Sequence, residues 1–553
     1  MIVSVVFFLM MIRVILLQGF ETDCFYLNSE SCKSDLSTHA DKRQINHREI
    51  ITNRGSIYDV NGRILAMSVP KKTLCINFKK IYEPYIKDEI DIDALLKIIN
   101  LPKKRFNNLL RKNKDKVEYY LKRKIDDDTY NKLEKLNYPY VYFIDEYDRV
   151  YLSGEYFSNV IGFTDIDDNG LSGIELAEDN ILKSQKGIKK IRKDNLGRSV
   201  ELLEVIKESK PGEDIQLSFD QRLQYVGYSI LKKHVDVTDA DSASLVLIRS
   251  KTGEIVTMIN YPSFDPNNRN EFKGEKIKNK VVSTVFEPGS TIKPIIVYAA
   301  LASETIDLDD TINTANGLKL DSKSKLLTDY KNLGLLTLEG IIRNSSNVGA
   351  AMIAKKTNKQ RIYDTLAEFN IGSDLYVDFP GIQNGSIKDI NNWDEALHGT
   401  VGYGYGLSTT LLHLANAYNI IANDGVRVQL SYKKVDDVVM GEQILQRDSS
   451  REILQMMRKA VDNGTGKSAK IQNYSVAGKT GTVRLRINGE YSKNNHNVIF
   501  VGIAPASKPE YVAAVIVRNP KNRPVSGGKN AAPIFSEFMS YSLNLLEVYP
   551  DKR

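Results

Sequence analysis

The pattern of apolar and polar positions divides the chain into four segments. Ile2 to Phe20 is apolar except for Arg13 and Gln18, long enough to reach across a hydrocarbon core of about 30 Å. Residues 1–20 are therefore predicted to form one transmembrane helix. Gln18 to Asp23 has no small-residue cleavage pattern, which favours an uncleaved anchor over a signal peptide. Arg13 inside it would snorkel to the headgroups or meet a partner helix. Residues 21–48 are polar and aperiodic, the pattern of a spacer. From residue 49 the order changes. Short apolar alternations on either side of Asn61-Gly62 predict a hairpin. Residues 85–140 have helical periodicity, and Val141 to Val205 reads as β-rich, with Gly154, Gly162, Gly170, Gly173, Gly187 and Gly197 at turn-like intervals. Residues 49–210 thus form an expected α+β pedestal domain.

Pro211-Gly212 ends that rhythm. Asp220 to Val235 is an amphipathic helix, and Ser244–Ile248 and Glu254–Ile259 are apolar runs joined by Lys251-Thr252-Gly253, a β-hairpin. Three more strands are predicted at Tyr474–Lys479, Asn497–Ile503 and Tyr511–Val517, with helices between at Thr291–Ala302, Leu338–Lys355 and Thr410–Asn423. The economical assembly for residues 211–548 is a five-stranded antiparallel sheet flanked by helices.

Composition narrows the chemistry. With 553 residues, 42% hydrophobic and 26% charged, the chain can build more than one packed core. The net charge of +7 is spread among acids, which argues against nucleic-acid binding. Cys24, Cys32 and Cys75 lack metal or redox spacing, and His39, His47, His234, His398, His413 and His496 are dispersed, so neither metal nor cofactor is expected. Cys24 and Cys32 are equally compatible with a disulfide and with two idle thiols.

Three short motifs remain. Ser290 and Lys293, in Phe286-Glu-Pro-Gly-Ser-Thr-Ile-Lys-Pro294, lie at i and i+3 at the start of a helix, where an amine stays near a hydroxyl. A serine hydroxyl needs a base, and a lysine whose pKa is lowered by burial can supply one. Alone, this spacing reads equally well as a capped helix start. Ser345-Ser346-Asn347 falls on a turn between helical segments, where Ser345 could relay a proton and Asn347 hold an amide and Lys293. Lys479-Thr480-Gly481-Thr482 ends the Tyr474 strand. A strand edge can pair with an extended peptide, and Lys479, Thr480 and Thr482 can bind a carboxylate. Backbone N–H groups of Ser290 and Thr482 would form an oxyanion hole, worth on the order of 3 kcal/mol per donor. The earlier Lys251-Thr252-Gly253 reads as a structural turn.

The ordered trio SxxK, SxN, KTG resembles that of penicillin-binding proteins and serine β-lactamases. With the LSFDQRLQ, NYPSFDPNNR, GYGYGLSTT and NRGSIYD stretches, the chain resembles class B penicillin-binding proteins over nearly its whole length. The short gap between Arg149–Gly154 and Ile161–Glu175 makes it most similar to the septal, cell-division type, with Leu152 in place of the usual proline in the pedestal. The resemblance implies a peptidoglycan D,D-transpeptidase that crosslinks stem peptides through a Ser290 acyl-enzyme and is acylated by β-lactams. It implies a β-lactamase-like catalytic fold, a single-pass inner-membrane location with the catalytic domain in the periplasm, and a diaminopimelate acceptor amine. Expected partners are a SEDS-type glycosyltransferase and other division proteins. Arg54, Gly55, Arg149, Gly154, Gly173 and Glu175 are expected at inter-domain packing and turn positions. The rival readings are an elongation-type transpeptidase, a hydrolytic β-lactamase or carboxypeptidase, and a non-catalytic β-lactam sensor or division scaffold.

Overall fold

The computed structural model describes residues 5–12, 45–81, 92–193, 199–375, 377, 379–436 and 439–552. Residues 5–12 are helical, and the rest of the expected anchor and Cys24 and Cys32 lie outside the described residues. Among the described residues no helix is long and apolar enough to cross a membrane. Residues 21–44 of the expected spacer also lie outside, but its last part is not a spacer. Ile45–Ile50 is a strand paired antiparallel with Gly187–Lys193. Its polar side chains hid it, because Ile45, Arg48 and Ile50 are only half-buried.

The chain forms two compact units whose sequences interleave: Met1–Gly55, Ser68–Asp148 and Lys183–Glu213 make one, and Ser56–Met67, Arg149–Leu182 and Asp214–Arg553 the other. In the smaller unit Leu74 and Ile76 point into a core with Phe78, Leu95, Ile99, Phe106 and Tyr140. The helical expectation over 85–140 is met at Ile92–Ile99, Lys103–Lys112 and Asp127–Glu134. It fails at Tyr119–Ile125, a strand paired with Lys72–Ile76. There Lys122, Arg123 and Lys124 follow one another along a strand and so alternate between its faces, Arg123 pairing with Glu146 and Lys124 with Asp148, and such a run of bases has no strand periodicity of its own. Asp126 caps the third helix by accepting the Thr129 N–H at 2.8 Å. The expected β-rich stretch 141–205 begins and ends in strands but carries the short helices Ser158–Ile161, Gly173–Ala177 and Asp179–Leu182 between them.

The larger unit is built on α1 (Gln221–Thr238), β1 (Ser242–Arg249), β2 (Ile255–Tyr261), α2 (Lys293–Ala302), α3 (Leu338–Asn344), α4 (Asn347–Lys356), α5 (Leu411–Ala422), α6 (Arg447–Asn463), β3 (Ala477–Ile487), β4 (Glu490–Ala504), β5 (Tyr511–Arg518) and α7 (Ala532–Leu545). The five strands form one antiparallel sheet in the order β2-β1-β5-β4-β3. Successive side chains separate into two cores, as the strand period requires. Leu245, Leu247, Phe500 and Val515 join Leu223, Leu231, Phe535 and Phe538 of α1 and α7. Val246, Ile248, Ile499, Val501 and Ile516 join Ile295, Leu414 and Tyr418 of α2 and α5. Because both faces are covered, the strands read as continuous apolar runs, and every residue of α5 is buried.

Two strand expectations change. β3 begins at Ala477, so Lys479 opens a long strand instead of ending a short one. β4 begins at Glu490, because Asn488 and Gly489, with φ of 52° and 87°, make a two-residue hairpin turn. Lys251-Thr252-Gly253 is the expected hairpin turn, with Gly253 at φ 72°. Arg149 and Glu175, expected between domains, form an ion pair within this unit at 2.7 Å, both side chains fully buried. Leu152 is exposed.

Candidate active site

Ser290 lies in a 3-10 turn, Gly289–Ile292, that feeds α2. In such a turn residues i and i+3 eclipse, which stacks Lys293 one turn from Ser290. Pro294 fits in the first helical turn, where its missing donor has no internal acceptor. The loop before the turn is fixed by backbone bonds. Phe286 and Thr409 exchange N–H···O bonds at 2.9 Å, and Gly289 N–H donates to Gly404 O at 3.0 Å. Gly289 and Gly404 have φ of 53° and 84°, and a Cβ on Gly404 would fall 2.1 Å from Gly289 O, so glycine is required at this crossing. Tyr418 of α5 donates its hydroxyl to Thr291 O at 2.7 Å.

Lys293 is fully buried. Its amine donates to Ser345 O and Asn347 Oδ1, both at 2.7 Å, and lies 3.3 Å from Ser345 Oγ. Ser345 occupies the turn between α3 and α4 in the left-handed region, φ 59°. Ser346 caps α4 by accepting the Gly349 N–H at 2.9 Å. Burial, and then the Lys479 cation, push the Lys293 amine well below its ordinary pKa, with Asp329 opposing. A neutral amine has two protons and one lone pair. Ser345 O and Asn347 Oδ1 can take the two protons, which leaves the lone pair for a third group.

β3 is an edge strand, and its start passes over the Ser290 turn. A Cβ at Gly481 would lie 3.1 Å from Thr291 Cγ2 and 3.2 Å from Pro288 O, so a side chain there would push the strand off the turn. Lys479 is buried and donates to Ser345 Oγ at 2.9 Å. Burial lowers its pKa to about 7. Ser345 Oγ therefore stands between two lysine amines. Thr480 Oγ1 is 2.9 Å from Thr465 Oγ1, and Thr482 Oγ1 accepts the Gly527 N–H at 3.0 Å. The fold thus gathers Ser290, Lys293, Ser345, Asn347, Lys479, Thr480, Gly481 and Thr482 at one place.

Sequence reasoning missed the residues that hold this set. Asp329 accepts the N–H groups of Asn347 and Val348 at 2.6 and 3.2 Å, together with the Ser346 hydroxyl. Glu287 Oε1 accepts from Gly406 N–H at 3.0 Å and Tyr491 Oη–H at 2.9 Å. Asp329 sits in an irregular loop and carries no periodic signal. The Asn488-Gly489 turn does carry one, and would have shown the hairpin that brings Tyr491 to Glu287.

Comparison with known proteins agrees with this geometry. Residues 243–540 match the penicillin binding protein transpeptidase domain, and residues 49–217 the penicillin-binding protein dimerisation domain. The chain is 31% identical over 548 residues to the probable peptidoglycan D,D-transpeptidase PenA of Neisseria meningitidis, covering 99% of this chain and 93% of that protein. It is 32% identical over 519 residues to the peptidoglycan D,D-transpeptidase FtsI of Escherichia coli K12, covering 93% and 87% respectively. A solved peptidoglycan synthetase from Bifidobacterium adolescentis has a similar fold, with a TM-score of 0.73 at 21% identity, over 92% of this chain and 98% of that one. Two lysines buried beside a serine-bearing turn, and relatives spanning almost the whole chain, lead to one conclusion: the protein belongs to the penicillin-binding protein family, in the class B form that joins a dimerisation domain to a transpeptidase domain.

Proposed function

We propose that the protein is a serine D,D-transpeptidase of peptidoglycan synthesis, with Ser290 as nucleophile and Lys293 as base. The observation that carries this is the Lys293 amine, buried one turn after Ser290 and held by Ser345 O and Asn347 Oδ1 with a lone pair to spare. Ser290 Oγ attacks the penultimate D-Ala carbonyl carbon of a stem peptide as its proton passes to Lys293 Nζ. The backbone N–H groups of Ser290 and Thr482 receive the oxyanion. As the C–N bond breaks, the leaving amine of the terminal D-Ala takes a proton through Ser345. An amine of a neighbouring stem peptide then attacks the ester, forms the crosslink and frees Ser290. Lys479, Thr480 and Thr482 bind the terminal carboxylate, on a strand that Gly481 lets lie close against the Ser290 turn. A β-lactam enters as a mimic of the D-Ala-D-Ala end and acylates Ser290.

The name of the E. coli relative, FtsI, and the short gap between Arg149–Gly154 and Ile161–Glu175 favour the septal machinery over the elongation machinery. The apolar stretch from Ile2 to Phe20 supports a single-pass anchor in the inner membrane, with the catalytic unit in the periplasm. A SEDS-type glycosyltransferase and other division proteins are the partners this location suggests.

The test is to incubate the full-length protein with a fluorescent penicillin and compare it with Ser290→Ala by gel and intact mass. A stable adduct that is absent from the variant is expected, with crosslinked product from stem-peptide substrates. Label on the Ser290→Ala variant would remove Ser290 from the reaction, and acylation without crosslinks would move the protein to the sensor class.

A further inference from the structure

Thr465 belongs to none of the three motifs, yet it bonds to one of them and to the helix turn that leads into another. It follows the C-terminal end of α6, in Asn463-Gly464-Thr465-Gly466. Its N–H donates to Arg343 O at 3.2 Å, in the last turn of α3, two residues before Ser345. A Cβ on the preceding Gly464 would fall 2.4 Å from the same carbonyl, so the approach depends on that glycine. On its other side, Thr465 Oγ1 lies 2.9 Å from Thr480 Oγ1 on β3. The turn at Gly527-Gly528 closes the arrangement. Gly527 N–H donates to Thr482 Oγ1, and a Cβ on Gly528 would meet Thr465 O at 2.5 Å. One residue thus ties the serine–asparagine turn to the strand that carries Lys479.

The hydroxyl pair has a polarity that matters. A hydroxyl has one proton and can accept as well as donate. If Thr480 is to donate to a substrate carboxylate, its proton cannot also point at Thr465. Thr465 must then be the donor and Thr480 the acceptor, a chain in which each bond polarises the next. We infer that Thr465 is a positioning residue for the carboxylate of the acyl donor: it donates to Thr480 Oγ1 and so directs the Thr480 proton to the substrate. The inference rests on the proposed acyl-enzyme chemistry and adds to it a residue that does not touch the substrate.

The test compares acylation of the full-length protein by benzylpenicillin, which carries a carboxylate, with acylation by its methyl ester, which does not. Thr465→Val keeps the shape and removes the hydroxyl. It is expected to slow acylation by benzylpenicillin on the order of tenfold, the scale of one hydrogen bond to a charged group, and acylation by the ester by no more than about twofold. Thr465→Ser restores the wild-type ratio. Thr480→Val gives a similar loss, and the double variant loses no more than Thr480→Val alone, since both act on one bond. Equal slowing of both probes by Thr465→Val would reduce Thr465 to a mechanical brace and overturn the inference, as would no change with either. If the valine variant does not fold, Thr465→Ala removes the hydroxyl without added methyl contact and is read in the same way. A wild-type protein that takes up neither probe would instead overturn the acyl-enzyme reading itself, and this role with it.

Discussion

Asp329 accepts the backbone N–H of Asn347 at 2.6 Å, and by that bond an irregular loop fixes the residue that holds the Lys293 amine. The same carboxylate raises the pKa that burial lowers at Lys293. Asp329→Ala should therefore do two separable things. Loss of the acceptor for the Asn347 and Val348 N–H groups at the start of α4 costs about 1 kcal/mol of stability, read by chemical denaturation. The acid limb of the acylation rate against pH should move to lower pH, because the remaining influences on Lys293 all depress its pKa. An unmoved limb would show that Asp329 serves the helix alone.

In the proposed reaction Lys293 must be neutral to accept a proton, whereas Lys479 must be charged to attract a carboxylate. Burial brings Lys479 to about 7. The second-order rate of acylation by benzylpenicillin, which reports the free enzyme, should thus rise as Lys293 loses its proton and fall above about pH 7 as Lys479 loses its own. The methyl ester, with no carboxylate to bind, should lack the alkaline limb. A fall of both probes together above neutral pH would contradict this division of roles.

Tyr491 ties the β3–β4 hairpin to the loop before Ser290 through Glu287. Its ring also packs edge-on against Tyr405 at 5.4 Å, with Arg486 over its face at 5.3 Å. Tyr491→Phe keeps the ring contacts and removes one hydrogen bond, worth about 1 kcal/mol. Amide exchange in the hairpin tip should quicken about fivefold, with little change in the global denaturation midpoint. Unchanged exchange would show that the rings alone hold the hairpin.

His413 is buried in α5, with Nδ1 2.7 Å from Thr410 Oγ1 and Nε2 2.9 Å from Ser373 O. Burial lowers its pKa from 6.5 to about 4. The unfolded chain therefore takes up a proton at a pH where the folded protein does not, and stability falls as the pH drops through that window. Between pH 7 and pH 5 this group should remove about 2 kcal/mol. The loss should be smaller in His413→Gln, measured by denaturation at both pH values.

Arg149 and Glu175 are both fully buried. Removing one partner leaves a charge out of water, so Arg149→Met should destabilise the larger unit by about 3–5 kcal/mol. The double variant Arg149→Met with Glu175→Leu should be less destabilised than either single change, and a double-mutant cycle by denaturation checks this. Additive losses would mean the two residues act separately.

The positions with strong local signals were legible from the amino-acid order. The apolar runs at Ser244–Ile248 and Tyr511–Val517 marked sheet strands because both sheet faces are buried and tolerate no polar alternation. Ser290, Lys293, Ser345, Asn347 and Lys479 could be named because each role requires a particular functional group in a fixed local frame: a turn, a helix start or a strand. The sequence alone did not show that Ser345 Oγ lies between two lysine amines, or that Asp329, Glu287 and Thr465 hold the motifs together. Those contacts join residues far apart in the chain, and hydrogen bonds of that kind leave no periodicity. The lowered pKa values of Lys293 and Lys479 likewise exist only once folding removes both amines from water. The order of residues supplied the candidate reacting groups, and tertiary packing decided their protonation and their distances, because desolvation and geometry are properties of the assembled interior.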